Sequence, residues 1–408
     1  MSSGYTDLCR HSGVPRQIVA ASLSRMTQPL LTLPLLVGVQ ERYHDHGLAA
    51  VTVGLYTAGF AAMMPITGRL VDRHGGRAIL RIWLILALIA LLGTSAALTL
   101  AVPTPVLLSG VTILGMCLPP VGAVTRAGWP LLIPPAQLRT AYALDTVINE
   151  AATITGPLLA ALTLSILPAP LALLTVFLPI TVGSLGLPAA VLDSARRANR
   201  RPAREPQSRR VILTYGITFC ASLGAGSLVA TAGLLAAEAE EPSIAGVLLA
   251  AAAIGAVTAG TIAGRHHLHQ DALTSRLVGF AMAITAAFIV LVLVLGLSAL
   301  GQSRGGAANI VTLAALYLVL GTLTGPRDAL LQLSIVLVAR PAQRSTSFSW
   351  LGTCGLLGFG FGSAVSGLVG NTLGHHLLPA AIASGVALAL SGSMPRTNAS
   401  RPQPPLPL

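Results

Sequence analysis

Five charged side chains interrupt stretches that are otherwise almost wholly apolar: Arg25, Arg126, Glu150, Arg327 and Asp328. A charge taken out of water is costly unless it is paired or put to use, so each of these residues needs a reason. A carboxylate such as Glu150 in that setting can bind and release a proton as pairing and desolvation change around it. It can equally be one half of a static ion pair that fixes helix packing, and both readings stand on sequence alone. Arg327 and Asp328 follow Gly325-Pro326. Neighbouring residues point in different directions on a helix, so these two are not expected to pair with each other. Either one of them faces a central cavity, or Pro326 marks the point where the helix leaves the apolar zone and both sit at its edge. Asp145 is read as an anchor or cap near that edge.

Other chemistries find no support. His266, His267 and His269, and His44 with His46, are close in sequence, but no Cys or carboxylate stands at ligand spacing. They read as polar loop residues, and no metal is expected. The chain has no lysine and hence no Gly-Lys-Ser/Thr phosphate loop, so ATP hydrolysis is excluded and no cofactor is implied. The cysteines Cys9, Cys117, Cys220 and Cys354 have no paired spacing and read as small buried apolar residues.

The elements that must position the five charges are set by composition. Of 408 residues, 53% are hydrophobic and 9% charged, and the mean hydropathy is +0.77. A soluble domain carries about 25% charged residues, so this chain must turn apolar surface to lipid. A helix needs about 20 apolar residues to cross the hydrocarbon. Twelve such runs occur, at 17–38, 48–68, 79–100, 104–127, 140–166, 169–192, 211–234, 243–264, 276–299, 307–330, 346–369 and 376–393. The expected fold is therefore all-α and integral to the membrane. The net charge of +12 does not signify nucleic acid binding, because the arginines are sorted by side. With both termini cytoplasmic, and with Arg81 and Arg276 at the inner ends of their runs counted there, the cytoplasmic segments hold 20 of them, the external loops two (Arg42 and Arg304), and the spans three. That is the asymmetry that orients multi-pass proteins in a cytoplasmic (plasma) membrane. The first run is long enough to act as an uncleaved anchor.

Asp193 to Arg210 is a polar stretch with seven arginines and two prolines that divides the runs six and six. It reads as a basic cytoplasmic linker, 193–210, between bundles at 1–192 and 211–393, with a disordered tail at 394–408. The halves repeat one another. A shift of 206 residues lays Pro135-Ala136-Gln137 on Pro341-Ala342-Gln343, Gly115 on Gly321 and Pro120 on Pro326. A shift of 192 lays Gly54, Gly68, Arg73 and His74 on Gly246, Gly260, Arg265 and His266. Two six-helix bundles related by a pseudo-two-fold axis, with a solute path between them, are the architecture such repeats imply.

Between the second and third runs stands Gly68-Arg-Leu-Val-Asp-Arg-His-Gly-Gly-Arg77. It resembles the loop signature Gly-x-Leu-x-Asp-Arg-x-Gly-Arg-Arg of the major facilitator superfamily, matching at Gly68, Leu70, Asp72, Arg73, Gly75 and Arg77 and differing at Gly76. Gly156-Pro157, followed by Ala160-Ala161, resembles the antiporter signature of drug-exporting members, with Ala-Ala in place of Gly-Gly and helix packing as its role. Arg25-Met26-x-x-Pro29 with Arg126-Ala-Gly-Trp129-Pro130 resembles bacterial twelve-helix members assigned to efflux. The resemblance implies a secondary transporter that exports a small organic solute or drug in exchange for protons, working as a monomer in the lipid bilayer, and not an enzyme. It places Asp72 in a latch against the N-terminal end of the eleventh span, near Thr346. It also packs the first span beside the fifth, so that Arg25 or Arg126 meets Glu150. The intramembrane arginine of those exporters is missing from the outer part of the fourth span, where Val111 and Thr112 stand. Uptake of a small nutrient by the same fold, and a non-transporting membrane sensor or assembly partner, are the alternatives; few aromatics (4%) disfavour sugar uptake.

Overall fold

In hydrocarbon a backbone has no water to bind, and the helix is the open-ended structure that satisfies its own polar groups. The computed structural model describes residues 3–193, 208–238, 241, 243–264, 273–300, 307–368 and 377–394, and among these every regular element is helical. Linker residues 194–207, the tail from 395 onward, and His266, His267 and His269 lie outside the described residues.

A short helix α1 (Ser3–Arg10) precedes α2 (Val14–Tyr43), α3 (His46–His74) and α4 (Gly76–Leu100). The fourth expected span is two helices, α5 (Thr104–Cys117) and α6 (Val121–Leu132), followed by α7 (Leu138–Leu164). The sixth is three pieces, α8 (Ala169–Leu174), α9 (Phe177–Leu185) and α10 (Ala189–Leu192). The second half holds α11 (Arg209–Glu238), α12 (Ser243–Ala263), α13 (Leu273–Leu300), α14 (Ala307–Val338), α15 (Arg344–Leu368) and α16 (Leu378–Gly392). Nine helical segments among the described residues are long and apolar enough to cross a membrane by themselves. With α2, the broken sixth span and the shorter α16 they make twelve transmembrane segments in two six-helix bundles.

The structure corrects three boundaries. The fourth span breaks at Leu118-Pro119-Pro120, where two successive prolines remove backbone donors, and it runs on to Leu132. The sixth breaks before Pro188. The tenth does not end at residue 330: α14 passes through Pro326 without a break and continues to Val338.

Lipid contact is written on α4, which is apolar all round. Leu80, Ala87, Leu91 and Leu98 are buried, while Ile85, Ile89 and Leu92 on the opposite face are at least half exposed, at 58, 61 and 50%. Where helices cross inside a bundle, small residues let the backbones touch. A Cβ on Gly115 of α5 would strike the Tyr56 carbonyl of α3, and one on Gly321 of α14 would strike the Ala252 carbonyl of α12. These are the two glycines that the internal repeat aligns. Pro135–Gln137 and Pro341–Gln343 are likewise matching 3-10 turns, each leading into the next helix. The pairing α2 with α7 and α3 with α5 in the first half recurs as α11 with α15 and α12 with α14 in the second. The cysteines are free; Cys9 is exposed and the other three are only half-buried.

Candidate functional site

Among the described residues the most buried charge is Asp145, fully buried on α7. Its Oδ1 accepts from Arg25 Nη2 of α2 at 2.6 Å and its Oδ2 from Arg126 Nε of α6 at 3.0 Å. Arg25 Nη1 also donates to Asn149 Oδ1 at 3.2 Å, one turn further along α7. The Arg25 and Arg126 side chains are only 5 and 18% exposed, so the three charges form one closed network across α2, α6 and α7. Neighbouring contacts hold the frame: Tyr142 Oη donates to the Arg126 carbonyl at 2.8 Å and Gln17 Nε2 to the Thr125 carbonyl at 2.7 Å. Gly156 lets α7 close on α2, since a Cβ there would strike Pro29; Pro157 lies inside α7 without ending it.

Two expectations are corrected here. Neither Arg25 nor Arg126 pairs with Glu150, and Asp145 is not an anchor at the membrane edge. The reason is angular. Residues four apart share a helix face, so Asp145 and Asn149 together meet the arginines, while Glu150, one step round, is turned away from them. The proline break that starts α6 steers Arg126 to the same spot.

Glu150 instead lines a cavity of about 330 Å³ between the two halves. Gln28, Phe60, Arg126 and Asn149 join it from the first half, and Thr218, Asp328, Gln332 and Gly352 from the second. None of the ion pairs among the described residues includes Glu150. Across from it Asp328 is 40% exposed in its side chain. Arg327 and Asp328 do pair, against expectation: Nε and Nη2 of Arg327 reach Asp328 Oδ1 at 2.9 and 2.8 Å. Adjacent Cβ atoms diverge, but the long arginine stem folds back far enough to close the gap. Pro326 leaves α14 intact, so both residues lie inside a continuous helix. Arg327 is directed into a small pocket beside Phe288 and Ser384, whereas Asp328 reaches the central cavity.

In and beside the cavity wall the halves are bolted together. Gln332 Nε2 meets Thr146 Oγ1 at 3.3 Å, Thr353 Oγ1 donates to the Ala61 carbonyl at 2.8 Å, and the Tyr142 and Phe348 rings stack with centroids 6.0 Å apart. Gly68 presses on Ser349 so closely that no Cβ would fit. At the arginine-rich end Asp72 Oδ1 accepts the Ser345 N–H at 3.1 Å. Its Oδ2 accepts the Thr346 N–H at 2.8 Å and the Thr346 hydroxyl at 2.7 Å. A carboxylate thus sits on the positive first turn of α15. Gly75 closes α3 at φ +91°, a conformation side chains rarely adopt. Arg77 clasps Asp193 at 2.9 Å, and Arg73 is an exposed residue of the last turn of α3. Two further ties cross the halves at this end: Thr140 Oγ1 to the Gly264 carbonyl at 2.8 Å and Tyr5 Oη to the Thr261 carbonyl at 2.9 Å. By contrast α2 and α11, the first long helices of the two halves, make few or no contacts with each other among the described residues. At the latch end, then, the halves are joined by several hydrogen bonds.

Sequence reasoning missed the hub role of Asp145 and the parts of Asn149, Gln332 and Tyr5. The Asp145/Asn149 spacing was a usable signal, because an acid and an amide four apart make one face suited to a guanidinium.

The comparisons with known proteins agree with this architecture. The model of the Major Facilitator Superfamily matches residues 18–288. None of the curated proteins compared matches the chain. Among solved structures, the E. coli fucose:proton symporter FucP is similar with a TM-score of 0.71 at 15% identity, covering 94% of this chain and 99% of that one. A bacterial homologue of the iron transporter ferroportin, in an outward-facing state with soaked iron, gives 0.67 at 13% identity, covering 92 and 98%. The human organic anion transporter MFSD10 (TETRAN) gives 0.66 at 17% identity, covering 92 and 99%. At these identities the likeness is one of fold.

Proposed function

Because this chain belongs to the Major Facilitator Superfamily, we propose that it is a secondary active transporter that exports a small organic solute or drug from the cell in exchange for protons. The observation that carries the reading is the contrast between two carboxylates on α7. Asp145 is closed into a network with two arginines, while Glu150 faces the cavity between the halves outside any ion pair among the described residues. The first suits a fixed strut. The second suits a group that gains and loses a proton as the cavity is exposed to each side in turn. The groups acting on it are Asp328 and Arg327 from α14 and the side chain of Asn149, its neighbour on α7.

In this reading the arginine-rich latch end is cytoplasmic, as are both termini, and the membrane is the plasma membrane. The bundles at 1–192 and 211–393 rock as a single monomer about the cavity, joined by the 193–210 linker. Asp72, with Gly68, Arg73, Gly75 and Arg77 shaping its loop, gates the cytoplasmic end. Halves joined at that end also suit loading of a nutrient for uptake, which is the second reading.

The test uses proteoliposomes whose latch end faces the bath. An acidic lumen should drive members of a panel of small organic solutes inward. Glu150→Gln should lose an order of magnitude or more of this gradient-driven uptake and keep solute–solute counterflow at saturating solute. Full gradient-driven uptake by the variant defeats the proton assignment; accumulation only with an acidic bath favours nutrient uptake.

A further inference from the structure

Resting on the exporter reading above, we propose that the solute is a small protonated amine, whose ammonium is held between Glu150 of the first half and Asp328 of the second. The central cavity contains excess charge of both signs, but they are not equally available. The excess positive charge belongs to Arg25 and Arg126, which share Asp145 and are 5 and 18% exposed. The negative charge faces inward from opposite walls. Glu150 lines the cavity from α7. Asp328, its side chain 40% exposed, lines it from α14, and both nitrogens of Arg327 that reach it go to the one oxygen Oδ1.

A separate observation points the same way. Gln332, only 5% exposed, lines this cavity and spends its amide N–H on Thr146. Its Oε1 is left as a buried acceptor with no hydrogen-bond partner among the described residues. Orphaned acceptors are costly, and a ligand with several N–H donors satisfies one. The three groups together ask for a donor-rich cation. A primary ammonium has three donors and no acceptor, as a lysine head group does.

Other cations fit less well. Quaternary ammonium recognition depends on aromatic faces, and among the cavity's lining residues Phe60 is the sole aromatic. For a metal ion, no three His, Cys, Asp or Glu converge among the described residues.

Equilibrium binding to purified protein in nanodiscs, with no gradient present, tests this through four probes of one shape. They are phenethylamine, its N,N,N-trimethyl derivative, 2-phenylethanol and 3-phenylpropionate. The amine should bind at least about tenfold more tightly than the other three. Asp328→Asn and Glu150→Gln should each weaken the amine about tenfold or more and leave weak binding of the alcohol unchanged, which certifies the folded cavity. The proposal is overturned if 3-phenylpropionate or the trimethyl derivative matches the amine, or if Asp328→Asn binds the amine as wild type does. Failure of transport itself reads out elsewhere: amine binding with no solute moved by a pH gradient sinks the exporter reading and keeps the site. Gradient-driven export of other solutes with no amine binding does the reverse.

Discussion

Asp145→Asn is expected to be the most damaging single substitution in the chain, costing about 3–5 kcal/mol of stability. The change removes the sole anion of a buried network and leaves the guanidinium groups of Arg25 and Arg126 facing each other. Like charges without a counterion in a low-dielectric interior repel strongly, and neither arginine can shed its proton to escape. The loss is a large share of the ~5–15 kcal/mol that holds a typical domain together. Asp145→Asn should therefore be recovered mostly as aggregate, with a clearly lowered Tm in what remains. Asp145→Glu, which keeps the charge, should fold with a smaller drop. Size-exclusion profiles and thermal melting in detergent give the answer, and an asparagine variant that melts with wild type would show that the network carries no such weight.

Asp72→Asn is expected to act on motion and leave folding alone. The carboxylate takes three hydrogen bonds from the first turn of α15, two of them from backbone N–H groups. Hydrogen bonds to charged groups contribute about 1.5–3 kcal/mol, and an asparagine also turns an NH2 toward donors that need an acceptor. At 1.4 kcal/mol per decade, losing the charge shifts the balance of closed and open latch by about 10- to 100-fold. Flux should fall accordingly while the amount inserted in the membrane stays constant. Equal flux per inserted molecule in Asp72→Asn and wild type removes the latch from the mechanism.

How far the sequence could be read depended on whether a feature is local. Span number, the repeat and the Asp72 loop depend on composition and fixed spacing. Pro135-Ala136-Gln137 and its copy at Pro341 even adopt the same turn. The partners of the charges are not local. They depend on how α2, α6 and α7 rotate about their axes, and a single residue step, from Asn149 to Glu150, decides whether a side chain on the cavity wall is also bonded to Arg25. Pro326 shows the other limit, since a proline in a span is tolerated when neighbouring helices supply the packing. The doubled Pro119-Pro120, by contrast, does break its span and precede a new helix.

The central claim is that the latch end opens and closes around the cavity, and a distance across that end tests it most directly. Spin labels on Arg69→Cys and Arg340→Cys, in a chain otherwise cleared of cysteine, would report the separation of α3 from the turn before α15 in lipid vesicles. The account predicts two populations, the short one matching the closed latch, with the longer one growing in the Asp72→Asn background. One short distance that neither pH nor Asp72→Asn alters would contradict it.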